Sequence, residues 1–129
     1  MANTFTAVGE ALALDYMFDA TAVTRPTAWY IALHTGANGG AGATNEIVGN
    51  GYARQSVTFT RSSNVMSNST ACTFGPNTGT AWGTVTHITI WDSLTSGRCL
   101  AQGTATASVT YAVGDSATIA IGAETITLT

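Results

Sequence analysis

From residue 28 onward, apolar positions in this chain recur at every second residue or in short runs, and only the first segment follows a helical period. There Ala7, Ala11, Leu14 and Phe18 recur at spacings of three and four, with Val8 and Leu12 widening the stripe. This pattern predicts a helix over residues 6–18. Thr6 is its expected N-cap, and Glu10 sits in the first turn, where an acid suits the helix dipole. Gly9 occupies the place that a capping box gives to Glu or Gln. A helix of this length is marginal alone, so it must dock, either on its own sheet or on a neighbouring subunit.

Residues 28–34 (AWYIALH) form an apolar and aromatic run between Pro26 and Gly36, as expected of a buried strand. Further strands are predicted over 52–60, 71–74, 81–91, 99–106, 108–111, 116–121 and 124–128, with 61–70 as a polar connection. The cleanest alternation runs through 81–91, with Val85, His87, Thr89 and Trp91 on one face and Thr86, Ile88 and Ile90 on the other. Gly75-Pro76, the run 92–97, Gly114-Asp115 and Gly122-Ala123 are the turn signals. Seven or eight short strands with one N-terminal helix argue for an all-β fold in one domain, a β-sandwich of jelly-roll-like type. Residues 35–51 are rich in Gly, Asn and Ala and too long for a hairpin turn, which marks an inter-subunit contact loop.

Composition changes the picture at one point. The four basic residues are all arginine (Arg25, Arg54, Arg61 and Arg98), and charged residues make up only 9% of the chain, against about 25% in ordinary soluble domains. Lysine is depleted from protein–protein interfaces. The chain therefore reads either as one that works packed against other chains or as a small neutral β-domain kept soluble by hydroxyls. A net charge of −3 with scattered arginines argues against a nucleic-acid partner. No apolar run approaches the roughly 20 residues that span a bilayer, so no membrane is expected. The N-terminal segment lacks a basic n-region, so synthesis and assembly in a cytoplasm are expected. Cys72 and Cys99 sit in apolar runs and read as core residues.

The chain carries no recognisable motif for chemistry. His34 and His87 stand alone on β-rich runs, whereas a metal site needs three or four convergent ligands. No G-x-S-x-G occurs for a serine nucleophile. No pair of carboxylates is singled out for glycoside cleavage. The glycines at 36, 39, 40 and 42 have no lysine and no following helix, so they are not a phosphate loop. No catalytic, cofactor-binding or metal-binding residue is therefore assigned, and no enzyme activity is expected. Trp29 and Trp91 lie in the strongest strands and are expected in the core. Trp82, flanked by small residues, is either core or an exposed anchor for a sugar or a neighbour.

The run WYIALHTG, the stretches 45–49 (NEIVG), 51–55 (GYARQ) and 81–87 (AWGTVTH), and the closing VGD and AETITL resemble a family of short tailed-bacteriophage virion proteins. Its members are labelled tail fibre, minor structural or head decoration (cement) protein. The resemblance covers essentially the whole chain. It implies a virion component without enzyme activity or cofactor. The favoured expectation is a capsid decoration protein, a homotrimer bridging major capsid subunits on the head exterior. The alternative is a tail fibre protein recognising a host-surface glycan. Candidate contacts are Phe18, Asn38, Asn45, Tyr52 and Trp82.

Overall fold

The period-two segments become strands, and the computed structural model, which describes residues 1–129, arranges them as one large sheet and one small one. In chain order the elements are β1 (Ala2–Phe5), α1 (Ala7–Phe18), β2 (Trp29–His34), β3 (Gln55–Val57), β4 (Phe59–Ser62), β5 (Val65–Asn68), β6 (Cys72–Phe74), β7 (Gly83–Trp91), β8 (Cys99–Tyr111), β9 (Ala117–Ile119) and β10 (Thr125–Thr127). The eight-stranded sheet has the order β3-β2-β7-β8-β1-β10-β5-β4, and β6 pairs with β9. The fold is all-β with one N-terminal helix.

The two layers expected of a sandwich are formed here by the walls of a single sheet that curls nearly into a barrel. The reason lies in β3 and β4. They are the two edges of the sheet, yet only Thr58 separates them in the chain. β3 pairs with β2 and β4 with β5, so one stretch of backbone touches both ends of the sheet. Such closure removes most of the exposed edge. β1 joins the walls differently, pairing antiparallel with β8 and parallel with β10.

Two strands escape the hydrophobic pattern. β1 carries the polar Asn3 inward, and β5 lies inside the expected polar connection, reached by a tight turn at Ser63 with φ 53°. The expected strands at 99–106 and 108–111 are one strand, β8. The register of β7 on β8 breaks between Val85 and His87. Val85 consequently shares a buried cluster with Ile88 and Ile90 and not with Thr89 and Trp91. Strict alternation assumes an unbroken register, and a bulge reverses the assignment of faces.

The main core fills the inside of the curled sheet. Ile31, Leu33, Val57, Phe74, Trp82, Ile88 and Ile90 are among its buried members. β6 and β9 bring Cys72, Phe74 and Ala117 into that core. A smaller cluster of Ala32, Trp91 and Cys99 lies on the other face of the β2–β7–β8 wall. Both cysteines are free and buried.

Candidate functional site

Helix α1 begins as its sequence predicts. Thr6 caps it, its hydroxyl accepting from the Gly9 amide at 3.1 Å and donating to the Cys99 carbonyl at 2.5 Å. The face it buries is not the expected one. Gly9 is its one buried residue, with Leu12 and Ala13 half-buried beside it. A Cβ at Gly9 would overlap the Leu100 carbonyl, so the missing side chain lets the helix lie directly on β8. The stripe of Ala7, Ala11, Leu14 and Phe18 faces solvent. At the end of α1, Leu14 is 59% exposed, Tyr16 62%, Met17 69% and Phe18 79%. Close backbone approach outweighed the larger apolar stripe, and the helix displays an apolar tip.

The long loop behaves differently from its expectation. Its backbone is fastened by hydrogen bonds from Thr35 to Asn45, from Thr44 to Asn38 and from Ile47 to Leu33. Ile47 and Asn38 are buried, and Asn38 donates to Gln102 Oε1 on β8 at 2.8 Å. Asn38 is thus an internal anchor and not a contact residue. Gly42 packs on Cys99 and Trp91, so the loop covers the smaller cluster. Asn45 is exposed, but its amide is engaged with the Ala37 carbonyl, and its φ of 60° shapes the turn. Val48 remains outward.

The loop is tied down by an ion pair whose arginine is buried and whose carboxylate is half-buried. Arg54 meets Glu46 through two parallel bonds, Nε to Oε1 and Nη2 to Oε2, both 2.8 Å. Its Nη1 donates to the Ser93 and Ser96 carbonyls, and its guanidinium lies 3.8 Å over the Trp91 ring. One side chain therefore ties the loop, the β7–β8 turn and the outer cluster together. The sequence offered no signal for this pair beyond an acid and an arginine eight positions apart.

Tyr52 and Trp82 turn inward. Trp82 is 5% exposed, and its indole donates to the Asn50 carbonyl at 3.1 Å. Tyr52 stacks on Phe74 at 6.0 Å, meets Trp82 edge-on at 5.9 Å, and accepts the Leu33 amide. Its hydroxyl donates to Glu46 at 3.2 Å, and burial pushes its pKa well above the ordinary phenol. The aromatic platform suggested for a sugar is not displayed: Trp82 is a core residue, half-buried Tyr52 packs against it, and both polar handles are used.

The ionisable groups in the interior are structural. His34 is fully buried, with Nδ1 2.9 Å from the Thr44 carbonyl and Nε2 2.8 Å from the Thr89 hydroxyl. A carbonyl can only accept, so Nδ1 carries the proton and Nε2 accepts from Thr89. Burial lowers the pKa of the ring, and neutral His34 fits both partners. Glu124 is buried against the Asn3 amide at 2.9 Å, and desolvation raises its pKa to about 7. No three His, Cys, Asp or Glu side chains gather as metal ligands.

One opening is lined almost wholly by apolar side chains of the sheet. At the end of the curled sheet where β1, β7, β10 and β4 finish and β2, β5 and β8 begin, an apolar mouth of about 330 Å³ opens between Phe5, Trp29, Phe59, Met66, Ile126 and Leu128. The only charged side chain on it is Arg61. Phe5 and Leu100 line both this mouth and the crevice beneath α1, so helix and mouth share one end of the molecule.

Compared with known proteins, the chain matches the family model of the podophage GP4 fiber I protein gp80 over residues 4–127. None of the curated proteins compared with it matches. The chain belongs to that podophage fiber family, and it is a phage structural protein and virion component.

Proposed function

We propose that this member of the podophage fiber family is a non-enzymatic building block of the phage tail fibre, assembled in the host cytoplasm and held in the virion through its exposed helix. The observation that carries this is the uncovered apolar end of α1, on a chain with so few charges. Contiguous exposed apolar surface marks a protein contact. The role is mechanical: a fixed β-body presents a protruding helix to a neighbour.

A second reading keeps one observation in its favour. The described chain is one β-domain with a single short helix and no elongated shaft. That shape suits a cement protein, the homotrimer expected of a decoration role, that bridges major capsid subunits. Copy number per purified virion, measured by mass spectrometry against the major capsid protein, separates the two. A number set by tail symmetry supports the fibre, and a number near that of the capsid subunits supports cement. Absence from the particle rejects both. Glycan recognition through Trp82 has no support from the geometry, since that ring is enclosed.

A further inference from the structure

We propose that the mouth of the curled sheet receives the tip of α1 from a second copy of this chain, Phe18 and Met17 entering as the anchor. The inference rests on the reading of the chain as an assembled subunit and names the contact.

Three observations carry it. The cavity, about 330 Å³, is at the small end of ligand-pocket sizes, about 300–1,000 Å³, which suits one or two large side chains. The exposed Met17 and Phe18 are side chains of that kind, and aromatic anchors in apolar pockets are the usual centre of an interface. Charge also matches. The end of α1 carries Asp15 and Asp19 with no basic residue in its last turn, while Arg61 is the single charge at the mouth.

The occupant comes from another copy because of length. α1 starts beside the mouth and runs 12 residues, about 18 Å at 1.5 Å per residue. Gly9 holds its first turns on β8, no residue of α1 lines the chain's own mouth, and Phe18 is left 79% exposed. Tip and mouth are different surfaces, and the contact is head-to-tail. It closes into a ring or continues as a filament.

The test is sedimentation velocity on the purified full chain and two variants, Phe18→Asp at the tip and Leu128→Glu at the mouth. Both positions are largely exposed, so unchanged thermal melting verifies their folding. The wild type is expected to associate, and each variant to sediment as a monomer. An equimolar mixture of the two is expected to form a one-to-one dimer, because it contains one intact tip and one intact mouth. Asp19→Arg and Arg61→Glu are each expected to weaken wild-type association and to restore it when combined. A wild type still monomeric at about 1 mM overturns the contact. So does a mixture that stays monomeric while the wild type assembles. Virion copy number is unaffected by either failure, so the broader reading is judged separately.

Discussion

At position 9, helix propensity and packing pull in opposite directions. Alanine is favoured over glycine in a helix by about 1 kcal/mol. Here its methyl would overlap the Leu100 carbonyl, and overpacking costs about 1–3 kcal/mol. The obstruction is rigid backbone, which puts the cost at the upper end of that range, so packing wins and Gly9→Ala is expected to destabilise by up to about 2 kcal/mol in urea denaturation; a more stable variant would mean that α1 is loosely docked. Trp82 sets the same kind of choice between two roles. Its truncation to alanine is expected to cost about 3–5 kcal/mol, the loss of a buried aromatic. Chemical denaturation measures this directly, and a selective loss of adsorption with unchanged stability would restore the exposed-anchor role. Nothing local distinguished these outcomes, because a Trp between small residues suits a strand entrance and a surface platform equally.

Among the elements, residues 35–51 show why a long loop need not be mobile. Its hydrogen bonds and the Arg54–Glu46 pair fix it over Trp91 and Cys99. Removing one partner of a fully buried pair typically costs about 3–5 kcal/mol, and because Glu46 keeps some contact with solvent the loss here falls at about 2–3 kcal/mol. Arg54→Ala is expected to show that loss, together with faster amide exchange at Ile47 and Thr44. Arg54→Lys is expected to recover little, since an ammonium cannot make the two parallel bonds or stack on the ring. Protection unchanged in Arg54→Ala would place the loop's rigidity in its backbone bonds alone. The helix illustrates the converse. Its ends and cap were legible from Thr6 and the spacing of its apolar residues, while its buried face was not. That face follows from where β8 lies, which no local period encodes.

For the whole molecule, the seam between β1, β10 and β5 carries a pH dependence. Glu124 sits in that seam, bonded to Asn3, while its amide donates to the Asn68 side chain at 2.9 Å. Burial raises its pKa from 4.5 to about 7 in the folded state. A raised carboxyl pKa means that the folded state holds the proton more tightly than the unfolded chain. The stability it brings is complete below about 4.5 and is lost as pH rises through 7. Glu124→Gln is therefore expected to gain about 1–2 kcal/mol over the wild type at pH 8 and to lose that advantage at pH 4. Melting temperatures of both chains across that range check it, and parallel profiles would show that Glu124 is solvated. His34 acts in the opposite direction, its lowered pKa favouring the folded state as pH rises, so only the comparison with the variant isolates the carboxyl.

The sequence by itself determined the β class, the single N-terminal helix with its Thr6 cap, most strand positions and the core placement of both cysteines. These depend on period, turn chemistry and side-chain type, which act over a few residues. Tertiary structure alone decided that β3 and β4 join the edges of one sheet, that a register break moves Val85 into the inner core, and that Trp82 and Asn38 turn inward while Phe18 stays out. Each depends on which distant backbone lies alongside. The pairing of β1 with β10 joins residues more than a hundred positions apart, and the open mouth exists only once the walls have curled. A local pattern shows which residues prefer burial; only the assembled sheet sets which of them find room inside.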